Sequence, residues 1–177
     1  MEGIIPDFFR KRSLRKHEST VPTKILPLGE MKSYVAILDV EDVSYNQCKT
    51  EIMNFFRRFE INGIVFFQDF RDIESEERLI TSIQTTITKK DVNWFGKPSE
   101  YKLEVMRERD PDLLLCLVEN PGFSIEYLAR TSSARFKVGR KQLGNNVFDL
   151  VMTAPEGKEI NQLECFSAVR DLLLKIH

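Results

Sequence analysis

Continuous apolar runs divide this chain into segments typical of buried β-strands. The run at residues 33–40 is apolar on both faces, as expected of a central parallel strand that helices cover on both sides. The run at 64–67 follows the same pattern, and 113–118 is the most hydrophobic stretch of the chain. These runs predict strands of a largely buried parallel sheet.

The segment between the first two runs shows a helical pattern instead. A helix is predicted to begin at Ser44, with Gln47 completing a capping box, and Asn62-Gly63 is expected to end it in a left-handed conformation. Its apolar residues recur at the helical period: Cys48, Ile52, Phe55, Phe56 and Phe59. A strand, a helix and a second apolar strand predict a βαβ unit with a right-handed crossover.

The remaining pattern continues this alternation of strands and helices. Further helices are predicted at 74–83, 99–109, 124–130 and 161–176, and further strands at 85–88, 135–139 and 148–152. The fold class predicted is α/β: a three-layer, Rossmann-like, mostly parallel doubly wound sheet of five to six strands. By analogy with that fold we expect the strand order 3-2-1-4-5 with a sixth strand at the edge, so that the first and fourth strands are neighbours.

The chain divides into a basic N-terminal arm and linker, residues 1–31, and a Rossmann-like α/β domain, residues 32–177. Pro6 suits the first turn of a short helix at 6–16, and a connector with two prolines follows. Five cations make the arm basic: Arg10, Lys11, Arg12, Arg15 and Lys16.

The composition indicates a cellular compartment but does not indicate an activity. The 177 residues carry 26 basic and 27 acidic side chains, a net charge of −1, so electrostatic steering has to come from local clusters. Cys48, Cys116 and Cys165 are odd in number and widely spaced, which indicates buried thiols in a reducing compartment. No apolar stretch has the length of a membrane span. We therefore expect a cytoplasmic protein.

The usual catalytic and cofactor-binding patterns are missing from the sequence. No GxGxxG follows a central strand, and the glycine-spaced segment 139–144 continues with Asn145-Asn146 where a P-loop needs Lys-Ser/Thr. His17 and His177 lie near the termini, and Ser124 is interpreted as a helix cap. We assign no catalytic residue, no metal site and no cofactor.

Three polar residues follow the two central strands. Asp39 ends the first strand, and Glu119-Asn120 follow the fourth. If those strands are neighbours, these side chains line the crevice where open α/β sheets bind ligands. The alternative is that they cap the following helices.

Trp94 belongs to a turn, residues 93–98, that is expected at the same edge of the sheet. An exposed tryptophan there would serve as a docking or stacking platform. Alternatively, Trp94 and Phe95 fold back onto the core.

A second basic cluster lies between Glu126 and Asp149, where no acid occurs. Together with the arm it would form a phosphate-binding face for RNA, the ribosome or an anionic membrane; the alternative is a solvated surface. Its members are Arg130, Arg135, Lys137, Arg140 and Lys141.

Two resemblances appear in the second half of the chain. About 30 residues, from Asp110-Pro111-Asp112 to Phe136-Lys137-Val138-Gly139-Arg140, resemble the amino-terminal half of bacterial lipopolysaccharide heptosyltransferases. Those enzymes carry a Gly-Asp turn after the first strand; here Asp39 is followed by Val40 and no glycine, so we do not transfer the activity. The turn 93–98, with the segments 136–139 and 148–151, is similar to a family of small, functionally unassigned bacterial proteins, which implies a Rossmann-like domain.

The sequence favours a non-catalytic binding or scaffold domain that engages an unknown macromolecular partner. The first alternative is an RNA- or ribosome-associated protein held by the basic clusters. The second is an enzyme or sensor for a small molecule, a sugar or a nucleotide, at the crevice between the first and fourth strands.

Overall fold

A six-stranded parallel sheet forms the centre of the computed structural model, which describes residues 4–72, 82–144, 146–156 and 158–177. The strands are β1 (Ser33–Asp39), β2 (Asn62–Asp69), β3 (Thr86–Thr88), β4 (Leu113–Cys116), β5 (Phe136–Gly139) and β6 (Leu150–Val151). Their order across the sheet is β3-β2-β1-β4-β5-β6, and every neighbouring pair is parallel. The predicted α/β fold class and the predicted strand order are both confirmed.

Helices cover both faces of this sheet. They are α1 (Ile4–His17), α2 (Tyr45–Arg57), α3 (Glu100–Arg107), α4 (Phe123–Thr131) and α5 (Gln162–Leu173), with a short 3-10 helix at Lys89–Asp91. One apolar cluster joins α2 and α5 to one face, and a second joins α3 and α4 to the other. Successive strand residues point to opposite faces, so Ala36 belongs to the first cluster and Ile37 to the second.

The two most apolar runs lie side by side, as the sequence predicted. Tyr34 is in register with Leu113, and Ile37 with Cys116. Residues 34–38 and 113–118 are buried, whereas Ser33, Asp39 and Val40 at the ends of the first run are partly exposed. The order of the strands reverses between β1 and β4, so their carboxyl ends flank the switch point of the sheet.

Helix α2 begins where the sequence predicted, with Ser44 at its N-cap, but the predicted capping box and the predicted end of the helix are wrong. The Ser44 side chain makes no cap hydrogen bond; its hydroxyl donates to Asp42 (2.6 Å) and accepts the backbone N–H of Leu163 (3.2 Å). The left-handed residue after the helix is Glu60 (φ 58°), whereas Asn62-Gly63 begins β2. A Cβ on Gly63 would lie 2.2 Å from the Tyr34 ring, so this glycine makes room for an aromatic ring on the neighbouring strand.

The segment before β1 packs onto the domain. Helix α1 lies on α4, where Leu14 is buried in the second apolar cluster and the Ser13 hydroxyl donates to the Tyr127 hydroxyl (3.3 Å). Further along the segment, the backbone N–H of Lys24 donates to the carbonyl of Arg135 (2.8 Å). Three more side chains enter the first cluster: Leu26, Leu28 and Met31. The predicted arm thus contributes to both sides of the core.

The predicted cap of α4 is wrong, and the helix predicted at 74–83 lies mostly outside the described residues. The N-cap of α4 is Gly122, and the buried hydroxyl of Ser124 has no hydrogen-bond partner within the described chain, so Ser124 is not the helix cap. The acidic helix predicted at 74–83 lies almost wholly in residues 73–81, which the structure does not describe.

Candidate functional site

An internal ion-pair network occupies the crevice between the carboxyl ends of β1 and β4. Arg140 follows β5, and its guanidinium reaches Asp42 (3.3 Å), Glu119 (3.2 Å) and the carbonyl of Ile160. The Arg140 side chain is 8% exposed and that of Asp42 is 12% exposed. Arg140, predicted as an anion-binding residue, therefore serves to hold the loops after β1, β4 and β5 together.

Asp42 is the centre of this network, and the sequence analysis did not single it out. Its carboxylate accepts hydrogen bonds from the hydroxyl and backbone N–H of Ser44 and from the backbone N–H of Gln162 (3.0 Å). Burial acts to raise the pKa of Asp42, but these hydrogen bonds and the charge of Arg140 outweigh it, so the pKa is lowered. Asp42 is ionised at neutral pH and is fully engaged inside the protein.

Asp39 lies beside β2 rather than against Glu119. Its carboxylate accepts the backbone N–H of Glu41 (3.0 Å) and a longer hydrogen bond from the Gln68 amide (3.4 Å). Burial is the main cause that raises the pKa of Asp39, and the charges of Glu41 and Asp42 add to it. The side-chain oxygen of Gln68 is buried and has no partner among the described residues. This strand end is the least satisfied polar point of the crevice.

The two predicted partners of Asp39 lie on the surface. Glu119 and Asn120 are both exposed, and Glu119 pairs with Arg140. The structure therefore does not join Asp39 and Glu119 into a pair of carboxylates.

The second basic cluster does not form a continuous free cationic surface. Arg130 is 7% exposed and pairs with Glu126 (2.9 Å) and Glu18 (3.1 Å). Lys137 is half-buried, and burial lowers its pKa. Arg135 is exposed with Asp112 at 3.8 Å, and Lys141 is exposed. The proposed anion-binding role has no support at Arg130 or Arg140, because both guanidinium groups are buried in internal ion pairs.

Trp94 instead joins an exposed aromatic cluster. It is 65% exposed, and its ring meets Phe9 and Phe95 edge to face, both at 5.2 Å between centroids. Phe9 also contacts Phe8 at 5.6 Å, and these two rings are 41% and 59% exposed. Trp94 is therefore exposed, as the first interpretation of the turn expected, and does not fold back onto the core. Phe95 is half-buried and lies between Trp94 and Phe123.

Specific contacts hold α1 against the turn that carries Trp94. The Arg10 guanidinium donates to the carbonyl of Phe95 (2.7 Å) and lies 5.0 Å above the ring of Phe123. The turn closes through a hydrogen bond from Gly96 to Asn93, with Gly96 at φ 94°, a conformation that favours glycine. Arg10 therefore positions the helix, while the cations that follow it face the solvent.

These aromatic and basic side chains form one surface, which we call the aromatic–basic face. It consists of Phe8, Phe9, Lys11, Arg12, Arg15, Lys16 and Trp94, all exposed. No acid occurs between residues 8 and 17. At the end of α1, partial burial and then the charges of Lys97, Lys16 and Arg107 lower the pKa of His17, and the charge of Glu100 opposes them.

Other reactive groups in the described part of the chain are buried or dispersed. Burial raises the pKa of Cys48 and Cys116 to about 12 and that of Cys165 to about 11, so all three remain thiols. Within the described ranges, no group of three His, Cys, Asp or Glu side chains is placed to hold a metal ion. No described helix is long and apolar enough to cross a membrane.

Comparisons with known proteins show a family but no activity. No curated protein and no solved structure matches the chain. The resemblance to heptosyltransferases gains no support, whereas the expected membership of a functionally unassigned family does. A family model matches residues 7–164, from the first turn of α1 into α5, and so includes every residue of the aromatic–basic face. The chain belongs to this family, described as "Family of unknown function (DUF6913)".

Proposed function

We propose that the protein is a non-catalytic binding domain that engages a macromolecular partner or assembly through the aromatic–basic face. The observation that carries this proposal is the exposure of Phe8, Phe9 and Trp94 in one cluster beside four exposed cations. Large aromatic side chains that are exposed in one contiguous patch mark interaction sites, whereas single exposed apolar residues occur on most protein surfaces.

The way the face is built supports this role. Rings from α1 and from the turn 93–98 contact one another, and the Arg10 hydrogen bond to Phe95 fixes the two segments together. A surface whose side chains are held in place loses little conformational entropy when a partner binds. The face is thus a preorganised platform.

The test compares two double variants of the full chain in a pull-down from the native cell. One variant removes aromatic groups of the face, Phe8→Ser with Trp94→Ser. The control removes exposed apolar groups elsewhere, Val43→Ser with Leu174→Ser, which are 96% and 49% exposed. Bound protein, RNA and lipid are each quantified at low and at high salt.

The proposal expects one partner to be retained by the wild type and by the control and to be lost from the face variant. If the face variant retains the same partner with the same recovery, the face is not the binding surface and the proposal fails. Circular dichroism of both variants establishes that they are folded.

The strand-end crevice supports a second candidate, a small-molecule site beside Asp39. The observation in its favour is the buried oxygen of Gln68 without a partner next to a carboxyl group of raised pKa. A thermal-shift screen with nucleotides and sugar phosphates tests it. A hit that disappears in Asp39→Ala supports the site, and a screen without hits, or a hit that survives this change, removes its basis.

Association with RNA or the ribosome is the third proposal, and its support now comes from α1. Lys11, Arg12, Arg15 and Lys16 remain exposed, whereas Arg130 and Arg140 are committed to internal ion pairs. The pull-down distinguishes this outcome, because RNA binding weakens steeply as salt rises.

A further inference from the structure

We propose that the partner of the aromatic–basic face is a lipid bilayer with anionic headgroups, on which the protein docks peripherally. This inference rests on the proposed function and specifies it. Three features support it: the placement of aromatic and basic groups along α1, the packing of the rings, and the distribution of charge.

Aromatic and basic side chains occupy different levels of the α1 axis. Phe8 and Phe9 lie near its amino end, and the cations at 11–16 follow on the same exposed side. At a rise of about 1.5 Å per residue, the cations lie roughly 3–12 Å behind the phenylalanines. The headgroup layer on each side of the hydrocarbon is about 5–8 Å thick. When the two phenylalanines lie at the edge of the hydrocarbon, the cations therefore reach the level of the lipid phosphates.

Trp94 extends the aromatic end beyond the helix. Its ring contacts Phe9 and stands on a separate turn, so the exposed aromatic groups form a patch rather than a single side chain. Tryptophan is enriched at membrane interfaces, where an apolar ring and a polar N–H suit the headgroup boundary. The patch offers a bilayer apolar area without the need for a spanning helix.

The packing of the rings favours a lipid surface over single-stranded RNA. The interplanar angles are 88° for Phe8–Phe9, 73° for Phe9–Trp94 and 81° for Trp94–Phe95, while Phe9 and Phe95 are stacked at 27°. In an edge-to-face pair, one ring covers a face of the other. Proteins that stack successive bases instead need free ring faces along a groove. Insertion among lipids requires only apolar area, which this cluster provides.

The exposed cations of α1 give the aromatic–basic face a positive charge that complements anionic lipid headgroups. The whole chain has a net charge of −1, so attraction to an anionic surface has to arise locally. The exposed cations of α1 have no acid among them, and Asp7 before them pairs with Arg10 (3.4 Å). Each Lys or Arg held near an anionic bilayer strengthens binding about fivefold.

The experiment is co-sedimentation of the full chain with vesicles of phosphatidylcholine alone and with 30% phosphatidylserine added. A charge variant carries Lys11→Gln, Arg12→Gln, Arg15→Gln and Lys16→Gln. Its control changes the net charge equally at exposed cations elsewhere: Lys32→Gln, Arg58→Gln, Arg109→Gln and Lys175→Gln. The aromatic variant and its control are Phe8→Ser with Trp94→Ser, and Val43→Ser with Leu174→Ser. Fluorescence anisotropy with labelled oligouridine runs in parallel.

We expect the wild type to bind the anionic vesicles at least about tenfold more tightly than the neutral ones. The charge variant should lose about 100-fold or more, the aromatic variant about tenfold or more, and both controls less than twofold. The proposal is overturned if the wild type does not bind anionic vesicles, if the controls lose as much as the face variants, or if oligouridine binds and vesicles do not. If the wild type does not bind vesicles but the pull-down shows that the face variant has lost a native partner, the lipid proposal fails and the proposed function stands.

Discussion

At the scale of single residues, the structure separates charged side chains that maintain the fold from those that remain available to a partner. Arg130 and Arg140 belong to the first kind, since their guanidinium groups are buried and paired. Arg12 and Arg15 belong to the second. The distinction depends on burial and not on residue type, so substitutions at similar residues should have very different effects on stability.

Arg140→Met should lower the free energy of unfolding by about 3 kcal/mol, because it leaves the buried carboxylate of Asp42 without its partner. The exposed neighbour provides a control, and Lys141→Met should stay within about 0.5 kcal/mol of the wild type. Urea denaturation of the three proteins measures both values. Equal stability of the two variants would show that the network does not hold the strand-end loops.

Asp39 and Asp42 should respond to pH in opposite ways. The lowered pKa of Asp42 stabilises the fold above its ordinary value of 3.8, and this contribution is lost as the pH falls through the lower folded value. Asp42→Asn should therefore cost about 1.5 kcal/mol or more at pH 7 and progressively less below pH 3.8.

The raised pKa of Asp39 has the reverse sign. Its ionised form is disfavoured in the folded protein, so Asp39→Asn should leave the free energy of unfolding at pH 7 unchanged or higher. Any gain should disappear as the pH falls from the raised folded value toward 3.8, the ordinary value. Denaturation curves of both variants at several pH values measure this contrast, and equal losses at pH 7 would refute the assignment.

At the scale of secondary-structure elements, the packing of α1 onto α4 is the least expected feature, because the helix predicted at 6–16 was placed in a basic arm outside the domain. Leu14→Ala should lower the free energy of unfolding by about 2 kcal/mol, since a buried leucine then leaves a cavity. Its exposed neighbour serves as control, and Arg15→Ala should stay within about 0.5 kcal/mol of the wild type. Thermal and urea unfolding measure both, and an unaffected Leu14→Ala protein would show that α1 is detached from the domain.

The sequence predicted the sheet well because its central strands are buried on both faces and are therefore apolar throughout. Periodicity located α2 and α5 to within a few residues, because each helix buries one face whose apolar residues recur at the helical period. Caps were harder to predict, because Ser44 has a competing partner in Asp42 that only the folded loop brings within reach. The buried leucines at 14, 26 and 28 follow no helical or strand period as a set, so the contribution of the N-terminal segment to the core was not predictable.

The candidate site was less predictable, since its parts are distant in the chain. The contact between Arg10 and Phe95 spans 85 residues, and no local pattern joins Phe9 to Trp94. Two of the acids that neutralise the second basic cluster are equally remote: Glu18 lies 112 residues before Arg130, and Asp42 lies 98 residues before Arg140. Glu126 and Glu119, which pair with the same two arginines, lie nearer in the chain. A count of charges along residues 126–149 therefore overestimated the free positive charge of that surface.

At the scale of the whole molecule, the fold separates the strand-end crevice, which internal ion pairs occupy, from the exposed aromatic–basic face. The sheet lies between two helical layers, and the ion-pair network around Asp42 occupies part of the switch point where related folds bind ligands. The surface that we propose for binding is the aromatic–basic face, where α1 meets the turn 93–98.

Docking through the aromatic–basic face is tested most directly by iodide quenching of tryptophan fluorescence, measured in the free chain and in the chain bound to anionic vesicles. Trp94 is the only tryptophan, so its emission reports on the aromatic–basic face alone. At 65% exposure it should be quenched readily in the free chain, and binding should strongly reduce the quenching and shift the emission to shorter wavelengths. Vesicle binding that leaves both the quenching and the emission wavelength of Trp94 unchanged would contradict the account, because the chain would then be docking through another surface.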